Sequence, residues 1–174
     1  MKGLVLVISL VAVSLLSGCA TKQAMNLQEF REMTLGSLYG NVKEVEVNRS
    51  LSQIGESLKK RTTRCLDVTY ERTSCFQTGV GQQSCNTSLM DYNPTLKISQ
   101  QKIELAVQMN MEGAYTPSKI PEGGKYTLVL DVTPTSANKS HLKFYYGYFA
   151  PETMITTLTG WADGTITGCP DLSK

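Results

Sequence analysis

The chain has 174 residues, 41% of them hydrophobic and 18% charged, with a formal charge of +2 at pH 7. This composition is that of a globular chain and excludes a disordered one, and the length is enough for a domain with a real core. The near balance of charge gives no global sign of a nucleic-acid partner.

Taken in chain order, Met1-Lys2-Gly3 puts a positive charge ahead of Leu4 to Leu16, thirteen residues that are apolar except for two serines. That is the layout of a secretory signal. A membrane-spanning helix needs about 20 apolar residues, so this run is too short to cross a bilayer comfortably. An ordinary cleavage site would follow with small residues in an A-x-A pattern. Instead, Leu16-Ser17-Gly18-Cys19 resembles the lipobox of bacterial lipoproteins, in which Leu, a small residue and Gly or Ala precede an invariant Cys. The resemblance covers residues 1 to about 20 and does not extend to the rest of the chain. It implies removal of residues 1–18, a diacylglyceryl group on the thiol of Cys19, and acylation of the new amino group. Because Ala20 and not Asp follows Cys19, the resemblance further implies, in a bacterium with two membranes, an outer-membrane anchor facing the periplasm. One acyl chain holds a protein marginally, whereas two or three make a stable anchor. Removing eighteen residues from 174 leaves 156 with a charge near +1, expected to be attached to a membrane and not to span one.

Residues 19–41 are polar and mixed, with a short helical stretch near Leu27 to Met33 and glycines at 36 and 40, and read as a tether. Residues 42–174 read as a single domain. "VKEVEV" (42–47) alternates with period two, the pattern of a half-buried strand. In "NRSLSQIGESLKKRTTRC", Leu51, Ile54 and Leu58 fall on one helical face, and Ser50 with Gln53 has the spacing of a capping box, which predicts a helix over about 50–62. Lys59, Lys60 and Arg61 then supply the positive charge that a helix C-terminus favours. Leu66, Val68 and Tyr70 alternate as the next strand.

Cys65, Cys75, Cys85 and Cys169 are an even set, as disulfides in an exported chain require, and allow three pairings. If 65–75 is extended, its ends lie about 33 Å apart, which disfavours a bridge between them. Two glycines between Cys75 and Cys85 let the chain reverse, so the expected bridges are Cys75–Cys85, closing a loop, and Cys65–Cys169.

The alternation is clearest in "KIELAVQMNM", where Ile103, Leu105, Val107, Met109 and Met111 share one face, a long antiparallel strand with which Leu96 and Ile98 can pair. "PEGG" at 121–124 is turn chemistry, "KYTLVLDV" a strand, "TPTSANKS" a loop and "HLKFYYGY" another strand. Pro151 suits the start of a helix, Met154, Leu158 and Trp161 its buried face, and Gly164 its end. The expected architecture is α+β: an antiparallel sheet of five or six strands, one helix after the first strand and one at the C-terminus, packed on one face. That order resembles the helix-grip arrangement, which by itself assigns no function.

Catalytic chemistry finds little support. His141 is the sole histidine, and no G-x-S-x-G elbow accompanies it. With the cysteines paired, one histidine cannot hold zinc. "GVGQQS" lacks the third glycine of a dinucleotide fingerprint, "DGTITG" lacks the carboxylates of a calcium loop, and no acidic pair stands out. Neither a metal nor a cofactor is expected. Two features remain for a partner. "KKRTTR", with Lys59, Lys60 and Arg61, could meet anionic headgroups, although charge at a helix end is the plainer reading. "FYYGYF" puts Tyr145 on the strand face opposite Phe144 and Tyr146, where it could stack on a sugar or a partner. The expectation is therefore a lipid-anchored, non-enzymatic interaction or structural domain, with an envelope protein or glycan as partner. The alternative is a small-ligand or lipid carrier whose apolar pocket, between the sheet and the last helix, is lined by Met109, Leu128 and Trp161.

Overall fold

The computed structural model describes residues 23–79, 81–111 and 119–172. The expected signal segment, Cys19 and the first residues after it lie outside the described residues. Six strands form one antiparallel sheet: β1 (Asn41–Val47), β2 (Val68–Thr78), β3 (Gln82–Ile98), β4 (Ile103–Met111), β5 (Lys125–Ser136) and β6 (Lys139–Tyr146). Their spatial order is β1-β6-β5-β4-β3-β2. Among the described residues three helices accompany them, α1 (Leu27–Gly36), α2 (Leu51–Leu66) and α3 (Glu152–Asp163). This is the α+β, helix-grip-like architecture expected, with a curled sheet, one helix after the first strand and one at the C-terminus.

Alternation along the strands decides what each face buries. Ile103, Leu105, Val107 and Met109 of β4, Leu128, Leu130 and Val132 of β5, and Leu142 and Phe144 of β6 point to the inner face. Ile54, Leu58 and Leu66 of α2 and Met154, Leu158 and Trp161 of α3 close over them in one core. The register of β4 against β5 shifts between Val107 and Gln108, where Thr127 is the extra residue of β5, as in a bulge.

α2 runs to Leu66, a full turn beyond the expected end. Its threonines are weak helix formers, but Leu58, Cys65 and Leu66 share a buried stripe, and tertiary packing overrides propensity. Lys59, Lys60 and Arg61 therefore lie inside the helix, and only Arg64 sits in its last turn. The capping box is present as expected, with the Ser50 side chain accepting from the Gln53 amide and Gln53 from Ser50.

Gly164, with φ 88°, ends α3, and the chain then folds back along the helix. Gly160 makes this possible: a Cβ there would collide with Ile166, whose amide donates to the Gly160 carbonyl at 3.1 Å. The helix propensity lost at Gly160 is the cost of this return. It brings Cys169 to Cys65, the two Cα atoms 5.2 Å apart in a disulfide.

Two segments differ from expectation. From Ala24 to Gly36 the chain is not a loose tether. Asn26 caps α1 by accepting from the Glu29 amide, and Phe30 packs on the outer face of the sheet against Ala106, Val129 and Tyr145. Helices thus cover parts of both faces. The supposed cysteine loop is the end of a β-hairpin: Cys75 lies directly opposite Cys85, with Cα atoms 4.0 Å apart, and the disulfide bridges the two strands. Residues 82–89 of β3 pair only with β2 among the described residues, so this end projects as a two-stranded arm with both faces exposed. Among the described residues no helix is long and apolar enough to cross a membrane.

Candidate functional site

Tyr145 does lie on the face opposite Phe144, but α1 covers it. It is 8% exposed, packed in the small outer core, with the Arg31 guanidinium 5.9 Å and the Lys143 ammonium 5.6 Å from its ring centroid. No sugar or partner can stack there while α1 is in place, because helix and ring occupy the same side.

Arg31 holds α1 down. Its Nε and Nη2 reach both oxygens of Asp131 on β5, at 3.0 and 2.7 Å, and Nη2 also reaches Glu104 on β4. Lys102 joins the same two carboxylates, 2.9 Å from Asp131 and 3.4 Å from Glu104. Burial pushes the Arg31 guanidinium down, but the hydrogen bonds and charges of Asp131 and Glu104 outweigh it, and the net shift is upward. A bidentate arginine pair with little exposure is worth more than a surface pair. Arg31→Met should keep the packing over Tyr145 yet lose about 1–2 kcal/mol, with Lys102 compensating in part. Hydrogen exchange would read this as faster exchange in α1 than in β4 and β5; uniform exchange across all three would contradict the latch.

His141 faces Glu46 across the β1–β6 ladder. Its Nδ1 is 2.7 Å from Glu46 and its Nε2 3.6 Å from Glu44, while Lys143 pairs with Glu44 at 2.7 Å. The hydrogen bond from Lys143, then its charge, holds the Glu44 carboxyl below its ordinary value. These are cross-strand pairs on a half-open face, and they account for His141 without catalysis. Among the described residues no cluster of three His, Cys, Asp or Glu could hold a metal. A polar cleft of about 380 Å³ has Asp67 and Glu122 in its lining, both exposed. Gln108 at its floor is already committed, donating to the carbonyls of Glu122 at 2.7 Å and Gly124 at 2.9 Å.

Lys60 and Arg61 come together with Arg64, the last residue of the "KKRTTR" run, in a notch of about 310 Å³ beside the Cys65–Cys169 bridge. Arg61 is pre-positioned, donating to Ser57 Oγ at 2.7 Å, while that hydroxyl donates to the Trp161 carbonyl at 2.7 Å. Lys59 and Lys60 are exposed. The i, i+4 spacing of Lys60 and Arg64 was the available signal.

Sequence reasoning missed a further opening. A groove of about 560 Å³ lies where the end of α1 and the loop 37–40 meet the loop after β6, lined by Met33, Thr34, Ser37, Tyr39, Gly40, Gly147, Tyr148 and Phe149. Gly40 permits the tight return from α1, since a Cβ there would strike the Thr34 backbone. By contrast, Met109, Leu128 and Trp161 are buried in the core cluster. Leu128 and Trp161 are 0% exposed, so not even a water-sized void borders them, and the space between sheet and α3 is core.

No protein-family model matches the chain, and no curated protein sequence matches it. Among solved structures, it is similar to a START superfamily protein from Mycobacterium smegmatis, with 12% identity, a TM-score of 0.33, and coverage of 72% of this chain and 95% of that one. A likeness this slight transfers no function.

Proposed function

We propose that the protein is a lipid-anchored lipoprotein of the cell envelope, carried on Cys19, at the periplasmic face of the outer membrane where the host has two membranes. Its domain is a non-enzymatic interaction or structural module that needs no cofactor. The observation that carries this reading is a filled interior beside an open apolar surface: Trp161 and Leu128 are sealed in the core, while Leu38, Tyr39 and Tyr148 stand exposed around the groove. Large apolar side chains gathered on a surface mark a contact site. The notch of Lys60, Arg61 and Arg64 offers a second contact, for anionic envelope groups.

One observation favours a carrier as a second reading. The groove falls within the usual size range of small-ligand pockets and has no charged residue in its lining. A lipid or small molecule would then lie there and not behind Trp161. Native mass spectrometry of the intact protein released from its membrane separates the two. The interaction module gives the mass of the acylated chain with two disulfides; a stoichiometric further adduct, lost on Tyr148→Asp, would replace it with the carrier.

A further inference from the structure

Packing leaves five large apolar side chains unexplained at one corner of the fold. Leu38 is 99% exposed, Tyr148 83% and Tyr39 77%, with Leu35 and Phe149 beside them. They come from the end of α1 and the loops 37–40 and 147–150, which meet at the groove. No charged side chain lines that groove, so no ionised group of its lining has to leave water and none of them repels an anionic headgroup. Tyr is a residue of the bilayer interface, where its ring lies in apolar surroundings and its hydroxyl in water, and Leu38 and Phe149 add apolar area beside the two tyrosines.

The chain itself limits what this corner can meet. Ala24 is already built into the fold, 2% exposed against the outer face of the sheet. Five Cα–Cα steps separate it from Cys19, a reach of at most about 18 Å. From there α1, ten residues and about 15 Å long, leads to the loop 37–40. A domain held this closely cannot stand away from the surface that holds its acyl chains. The bilayer is present at high effective concentration, whereas a protein partner must arrive from solution.

We infer that this apolar corner is a membrane seat: Leu38, Tyr39, Tyr148 and Phe149 enter the interface of the same bilayer that holds the Cys19 acyl chains. The inference rests on the lipid-anchor reading and names the partner of its contact surface. Seating fixes the orientation of the domain, with the end of α1 toward the lipid.

The molecule carries a suitable reporter background, because its sole tryptophan, Trp161, is sealed in the core. The acylated full-length protein is placed in phosphatidylethanolamine–phosphatidylglycerol vesicles with brominated acyl chains, as wild type, Tyr148→Trp and Leu38→Trp. Both sites are exposed, so neither substitution disturbs the core. Bromolipid should leave wild-type emission nearly unchanged and quench that of both variants at least twofold more. Vesicle-bound, acylated variants quenched no more than wild type would overturn the seat and leave the anchor standing. Emission shielded from aqueous acrylamide but insensitive to bromolipid, in protein that self-associates, would give the corner to a second copy and also overturn the seat. A Cys19 peptide without acyl groups would overturn both the anchor and the seat that depends on it.

Discussion

A chain carrying Cys65→Ala and Cys169→Ala together unfolds about 10–20 °C below the wild type. The bridge closes a separation of 104 residues, and in the chain-entropy model a loop of that length contributes roughly 4–5 kcal/mol. For a domain of this size each kcal/mol moves the midpoint by about 2–4 °C. Both ends of the bridge take part in the cooperative fold: Cys65 is buried in the last turn of α2, and Cys169 sits on the tail that returns along α3. The Cys75–Cys85 bridge behaves differently. The same model gives its 10-residue separation nearly 3 kcal/mol, but the arm it staples has exposed faces and can fray alone. Cys75→Ala with Cys85→Ala should move the midpoint by less than about 3 °C, while amides from 72 to 88 exchange much faster. Thermal unfolding of the two double variants checks both statements. Equal losses would mean that the arm folds as one unit with the sheet.

Trp161→Ala is expected to cost about 3–5 kcal/mol in urea unfolding, the usual range for truncating a sealed aromatic. The ring has no exposed surface, and its Nε1 donates to the Gly168 carbonyl at 2.8 Å. Losing it opens a void between α3 and the sheet and also frees the tail that holds Cys169. Trp161→Phe keeps most of the volume and removes the donor, so about 1–2 kcal/mol is expected. A loss below about 1 kcal/mol for the alanine variant would mean that the interior tolerates empty space. The carrier reading in its original place, among Met109, Leu128 and Trp161, would then return.

Where the sequence was legible, one face of an element was wet and the other dry. β4 and the buried stripes of α2 and α3 carry that contrast in their spacing, and the cysteine pairing followed from strand length and the two glycines. The β2–β3 arm carries no such contrast. Both faces of residues 71–79 and 81–87 are exposed, so the period-two signal disappears, and "FQTGVGQQS" resembles a loop although most of it is paired strand. α1 was harder for another reason. Leu27, Phe30 and Met33 make only a narrow stripe, yet Asn26 and Glu29 form a capping pair that could have been read. Reading that helical stretch as part of a tether made Tyr145 look open. What no pattern in the chain shows is that Arg31 finds Asp131, a hundred residues away. The apolar corner has the same origin: Leu38 with Tyr39 and Tyr148 with Phe149 lie in separate loops, and only the fold brings them together.

The central claim is that acyl chains on Cys19 hold this domain at a membrane. It is tested most directly by separating membrane and soluble fractions of cells producing the wild type or Cys19→Ser, with the mass of the N-terminal peptide measured in each. The account predicts wild type in the membrane fraction, beginning at Cys19 and heavier by its acyl groups, and Cys19→Ser free of covalent lipid and largely released by a high-salt wash. Wild type without acyl groups, or Cys19→Ser retained as firmly as wild type through that wash, would contradict it.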